Sequence, residues 1–223
     1  MKDLDKNKQE QAYSYDHMME IQNKDMIKET QTAYLSKQPG EFTLDDYYAL
    51  PDDVRAELID GVLYEMTAPT FSHQKAISKI ARMLETHIEQ KKGNCEVIAL
   101  PYDVQLDRDD RTMVEPDIMI VCDQKKITNR SLYGAPDFVV EVLSPSTAKK
   151  DMTLKLFKYC NAGVREYWIV DLRKKRVLVY EWEGDSENLS IYGFDSKIPV
   201  GIFNGDCIID FSEIWKEISR FNE

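Results

Sequence analysis

The sequence predicts a mixed α/β fold, a β-sheet of mixed strand direction flanked by helices. Three observations predict it. Short apolar runs bounded by turn residues recur from Cys95 to Phe194, a helical period runs from about Ser72 to Lys92, and helix signals alternate with strand signals instead of standing in a block. With 43% hydrophobic and 10% aromatic residues, the 223-residue chain can build a packed core and is not disordered as a whole.

Residues 1–41 differ from the rest, being rich in Gln, Lys, Glu, Asp and Asn up to Pro39-Gly40. They read as a polar arm, flexible or helical, ahead of a folded domain over 42–223. Thr43 caps a short helix that Pro51 stops, and Ala56 to Met66 reads as a hairpin turning at Asp60-Gly61. The long helix from about Ser72 carries Ile77, Ile80, Ala81, Leu84 and Ile88 at spacings of three and four, and Gly93 ends it. Cys95–Leu100 and Tyr102–Leu106 read as one strand bent at Pro101. Asp117 opens the apolar strand Ile118–Val121. Phe138 to Leu143 is apolar except for Glu141, which predicts a central strand covered on both faces. A helix from Thr147 to Asn161 closes at Gly163, Tyr167–Leu172 and Val177–Trp182 form a hairpin, and a strand near Ser190 and a helix from Phe211 finish the chain.

The bulk numbers exclude several classes. No apolar run approaches the roughly 18 residues that span a bilayer, and MKDLDKNKQEQ lacks the apolar core of a secretory signal, so the expectation is a cytoplasmic protein without membrane contact. The four cysteines, Cys95, Cys122, Cys160 and Cys207, form no CxxC pair, so reduced thiols are expected rather than disulfides or zinc. A net charge of −11 argues against tight, non-specific DNA binding by the whole surface. Lys149, Lys150, Lys158, Arg165 and the run Arg173 to Arg176 could form a local basic face, and a solvated hairpin tip explains the last group equally well.

Glu141 is the anomaly. An unpaired carboxylate in a buried strand costs several kcal/mol, so it needs a cation or a partner. Asp117 also borders an apolar strand; if the two strands are neighbours, two acids converge and suit Mg²⁺ or Mn²⁺. A buried ion pair to a lysine or arginine explains Glu141 equally well.

Glu115-Pro116-Asp117-Ile118, followed by Pro136-Asp137-Phe138-Val139-Val140-Glu141-Val142-Leu143-Ser144-Pro145-Ser146-Thr147, resembles the Uma-type restriction endonuclease family of the PD-(D/E)XK nuclease superfamily. The resemblance continues through Asp151, Lys155, Tyr159, Gly163-Val164 and Glu166 to Asp171. Upstream it includes Glu57 to Gly61 and His73. It implies a restriction endonuclease-like core that cleaves DNA with Mg²⁺ or Mn²⁺. Asp117 and Glu141 would hold the metal, with Glu57 and His73 as accessory residues and a homodimer by analogy. The superfamily lysine belongs two residues after the glutamate, where Leu143 stands. Uma-type sequences share this gap, and Lys155 on the following helix occupies the matching position. Ser144 is a candidate for phosphate contact or for shaping the turn before Pro145.

The alternative is a catalytically degenerate nuclease fold that serves as a binding or regulatory module, which the missing strand lysine and the acidic charge motivate. A nuclease for RNA or repair intermediates is weaker, because no aromatic stacking platform is visible in the sequence.

Overall fold

A computed structural model describes residues 37–145, 147–184 and 186–221. The polar arm expected over 1–41 therefore lies almost wholly outside the described residues. The chain divides into two units, one ending at Met66 and the other beginning at Thr67.

In the first unit, Thr43 caps helix α1 (Leu44–Tyr48), with the Asp46 carboxylate returning to the Thr43 backbone N–H. Strands β1 (Ala56–Ile59) and β2 (Val62–Glu65) form the expected hairpin. Asp60 and Gly61, at φ of 50° and 74°, make its turn; such positive values favour glycine and short polar residues. All four residues of β1 are buried, including Glu57.

The second unit is built on a six-stranded sheet among the described residues, in the order β10-β9-β8-β7-β5-β3. These strands are β3 (Glu96–Ala99), β5 (Ile118–Val121), β7 (Phe138–Val142), β8 (Glu166–Asp171), β9 (Arg176–Glu183) and β10 (Ser186–Gly193). Only β7 and β8 run parallel; the other neighbours are antiparallel, so the sheet is mixed as the sequence predicts. One face carries Ile118, Ile120, Phe138, Val140, Trp168 and Val170. It packs against α2 (Phe71–Lys91) and α5 (Phe211–Ile218), whose buried positions follow the three–four spacing. The other face carries Asp117 and Glu141, because side chains alternate along a strand.

Four local expectations are corrected. The stretch around Pro101 is not one bent strand: β3 joins the main sheet, whereas β4 (Asp103–Gln105) pairs in parallel with β6 (Ser131–Tyr133), a strand the polar loop concealed. A second unread hairpin, β11 (Lys197–Val200) with β12 (Cys207–Asp210), places Ile198, Val200, Cys207 and Ile209 in the core. Lys92, not Gly93, takes the left-handed conformation that closes α2. Finally, Cys95 and Cys122 form a disulfide instead of standing reduced. Each lies one residue beyond the Glu96–Val121 pair, so the antiparallel register sets them opposite each other, which linear spacing does not reveal. Cys160 and Cys207 are free thiols. Among the described residues, no helix is long and apolar enough to cross a membrane.

Candidate active site

Asp117 and Glu141 are positioned by strand pairing. Ile118 pairs with Val140 across β5 and β7, and one step further the same register sets Asp117 opposite Glu141. Both side chains are buried, at 8% and 6% exposure. Asp117 Oδ2 accepts the Val142 backbone N–H at 2.7 Å and lies 3.3 Å from His73 Nε2. Asp117 Oδ1 accepts no hydrogen bond from the described residues.

His73 reaches Asp117 from the first turn of α2, whose cap is the Thr70 hydroxyl accepting the His73 N–H. Burial by itself pushes the imidazole pKa down. The Asp117 carboxylate, which hydrogen-bonds and attracts the ring, outweighs that together with Val142 and Asp151, and leaves the pKa raised.

Glu141 is met from the helix that follows β7. That helix begins as α3 (Ala148–Lys150), widens into a π-helical turn at Asp151–Lys155 and continues as α4 (Leu156–Ala162) to Gly163 in the left-handed region. Lys155 Nζ pairs with Glu141 Oε1, which also accepts the Tyr159 hydroxyl at 2.8 Å. Lys155 Nζ stands 3.8 Å from Asp151 Oδ1 and 5.7 Å from the centre of the Tyr159 ring. Below them, the buried Tyr167 hydroxyl donates to the Asp151 carbonyl at 3.1 Å, and its ring meets Tyr159 edge-on. Burial raises the Tyr167 pKa well above that of a free phenol, with the Glu141 and Asp151 charges adding to it, so this hydroxyl stays protonated.

The expected residues thus separate into three groups. Asp117, Glu141, Lys155 and His73 converge, with Asp151 and Tyr159 completing their contacts. Ser144 shapes the turn after β7: its hydroxyl accepts the Thr147 N–H at 3.2 Å and lies 3.0 Å from Thr147 Oγ1. Glu57 belongs to the first unit.

The family model for Uma2, described as a putative restriction endonuclease, matches residues 44–205. The chain belongs to this family. An uncharacterized protein of Synechocystis is 25% identical over 132 residues, covering 59% of this chain and 68% of that protein. A crystal structure of a putative nuclease of the DUF820 group from Anabaena variabilis superposes with a TM-score of 0.65 at 18% identity, over 79% of this chain and 99% of that one. At that identity the likeness shows the fold. Its family description makes this Uma2 member a nuclease at that coarse level.

In this Uma2 chain the ammonium beside the strand acid does come from the helix. Leu143, at the position two after Glu141, instead donates its backbone N–H to Val170. Of the candidate basic face, Lys158 is buried against Asp107, whereas Arg165 pairs with Asp137 and keeps half of its side chain exposed. Asp137 also accepts the Cys122 backbone N–H at 2.8 Å. Two features escaped the sequence reading. Tyr159 stands in the family pattern, but nothing in the linear sequence marks its hydroxyl as a partner of Glu141. Glu166 is a further buried acid, accepting Trp168 Nε1–H at 2.7 Å and the Ile202 N–H at 2.9 Å. Burial pushes its carboxyl pKa up against those donors. A Glu opening an otherwise apolar strand was the available signal for it.

Proposed function

We propose that this protein is an endonuclease that hydrolyses phosphodiester bonds of DNA with Mg²⁺ or Mn²⁺. The observation that carries the reading is the acid pair facing across β5 and β7, with a buried ammonium on one carboxylate and an imidazole on the other. The donor set fits the metal. It offers two hard carboxylates from rigid strands, and Mg²⁺ is commonly held by one or two carboxylates with waters and substrate phosphates completing its shell. Among the described residues no group of three or more His, Cys, Asp and Glu is arranged to hold an ion unaided, so Asp117 and Glu141 would need waters and substrate phosphate to complete a shell. Asp117 and Glu141 would hold the ion, and an ion there would acidify water and offset charge on the phosphate.

The remaining groups belong to the chain. Lys155 supplies a fixed positive charge beside Glu141, able to orient an attacking water and to stabilise charge that develops on the phosphoryl oxygens. Tyr159 fixes the Glu141 carboxylate. The His73 imidazole holds Asp117 Oδ2, leaving Oδ1 for the metal.

The test is nicking of supercoiled plasmid with Mg²⁺ or Mn²⁺ and with EDTA, alongside calorimetric titration of Mn²⁺. Asp117→Asn should abolish both cutting and Mn²⁺ binding while the fold persists. A folded wild type that neither binds Mn²⁺ nor cuts would replace this reading with the binding-module one.

A further inference from the structure

Strands β7 and β8 run parallel, so the segments that follow them leave the sheet at the same end. The acid pair lies at that end as well. Glu141 is one residue from the end of β7, and Asp117 precedes β5, which runs antiparallel to β7. After β7 comes the start of α3 with Lys149 and Lys150. After β8 comes the hairpin tip Arg173-Lys174-Lys175-Arg176. Two basic segments distant in the chain thus stand at the edge of the sheet that holds the acids. By strand spacing and rise, the tip is about 10–15 Å from Glu141. Of the other basic residues that the sequence groups with them, Lys158 is buried and Arg165 precedes β8, at the opposite end.

Turn chemistry does not account for the tip. Lys175 has a φ of 52°, in the left-handed region that favours glycine and asparagine, and its ammonium lies 4.8 Å from the centre of the Trp215 ring on α5. Lys149, Arg173, Lys174 and Lys175 are all exposed, and among the described residues none of the four forms an ion pair. Of the carboxylates that the fold brings to this end, Asp171 accepts the Lys174 backbone N–H and faces the Arg176 guanidinium at 3.6 Å. Asp151 faces Lys155, Glu115 is buried ahead of β5, and Asp195 accepts the Ser196 hydroxyl. Like charges held this close repel one another, and a bound anion relieves that repulsion.

We propose that Arg173, Lys174 and Lys175, together with Lys149, grip the phosphate backbone of the DNA whose scissile bond lies at the acid pair. At one phosphate per roughly 3.4 Å of axis along a strand, a span of about 10–15 Å places the tip three or four phosphates from the bond that is cut. Ligands of open α/β sheets gather outside the carboxyl ends of parallel strands, which is where both segments stand. Contacts of this kind set register and orientation and read no sequence. The inference rests on the nuclease reading for its ligand. It explains how a chain with a net charge of −11 holds a polyanion, through one edge instead of its whole surface.

The test uses the full chain in EDTA, so that no cleavage is needed. A fluorescent DNA duplex and an RNA duplex of the same sequence are titrated by anisotropy at several salt concentrations. Arg173→Ala, Lys174→Ala and Lys149→Ala should each weaken DNA binding and flatten the slope of log Kd against log salt by about one unit, whatever the duplex sequence. Their thermal midpoints should stay near the wild-type value, because none of these side chains forms an ion pair. Lys125→Ala removes an exposed lysine beyond the far end of β5, at the opposite end of the sheet, and should leave the slope unchanged. In plasmid cutting, Arg173→Ala/Lys174→Ala should raise KM more than it lowers kcat. Tip variants that bind as wild type, or an equal change of slope in Lys125→Ala, overturn the grip. RNA bound more tightly than DNA overturns DNA as the occupant. An unchanged KM in the double variant overturns the grip while leaving the nuclease intact. Binding that depends on the tip in a wild type that never cuts supports the grip and defeats the nuclease reading.

Discussion

Glu141 lies in a strand whose five residues are all buried, and one helix supplies both an ammonium and a hydroxyl to the same carboxylate oxygen. The two readings that the sequence left open, a metal ligand and an ion-paired acid, are therefore compatible at this residue. A buried pair contributes little net stability, but removing one member strands the other in a low-dielectric interior. Lys155→Ala is accordingly expected to destabilise the fold by about 3–5 kcal/mol, read from the urea midpoint at neutral pH. Tyr159→Phe, which deletes one hydrogen bond to the acid, should cost less, about 1.5–3 kcal/mol. A Lys155→Ala midpoint equal to wild type would show that other groups neutralise Glu141. The acid pair and this lysine were legible because each breaks a local pattern: two charges at apolar strands, and a lysine at helical spacing from Asp151. The roles of the tyrosines were not legible, since a tyrosine in a core segment looks the same whether its hydroxyl is bonded to a carboxylate or to backbone.

Between β7 and β8 the helix is interrupted by a π-helical turn at Asp151–Lys155, which holds both of its charged residues buried. Such turns insert one residue into an α-helix and re-aim the side chains around it, and they concentrate at functional sites. Spacings of four residues put Asp151, Lys155 and Tyr159 on one face of a regular helix, so the sequence conveyed their grouping but not the bulge. Deleting the exposed Thr153 within the turn should restore α-helical winding and rotate Lys155 and Tyr159 by about 100° relative to Asp151. The expected outcome is a folded protein with a lower thermal midpoint and no plasmid cutting. Wild-type activity in the deletion would show that the bulge positions nothing. Elements with a clear period, α2 and β7 among them, were readable almost to their ends. The hairpin of β11 and β12 was not, because Gly201–Gly205 and Pro199 made it look like loop. The parallel pairing of β4 with β6 joins segments whose proximity only the tertiary fold specifies.

Across the second unit, the sheet ends on β3, an edge strand tied to its neighbour by the Cys95–Cys122 disulfide. This bond conflicts with the expectation of reduced thiols in a cytoplasmic protein, since disulfides persist where the surroundings are oxidising. The conflict can be decided on the whole molecule. A cross-link with a sequence separation of 27 restricts the unfolded chain, which corresponds to about 3–4 kcal/mol of stabilisation in the chain-entropy account. Purified protein kept free of reductant should weigh two hydrogens less than the same protein after reduction, with two thiols becoming newly titratable. Reduction, or the double change Cys95→Ser and Cys122→Ser, should lower the unfolding free energy obtained from urea titration by that amount. Plasmid cutting should survive, because the acid pair depends on the β5–β7 register, which lies on the far side of β5 from the bond. Identical masses and midpoints with and without reductant would mean that the edge is held by the β3–β5 ladder alone. Loss of cutting on reduction would instead tie the register of Asp117 and Glu141 to the redox state of the edge strand.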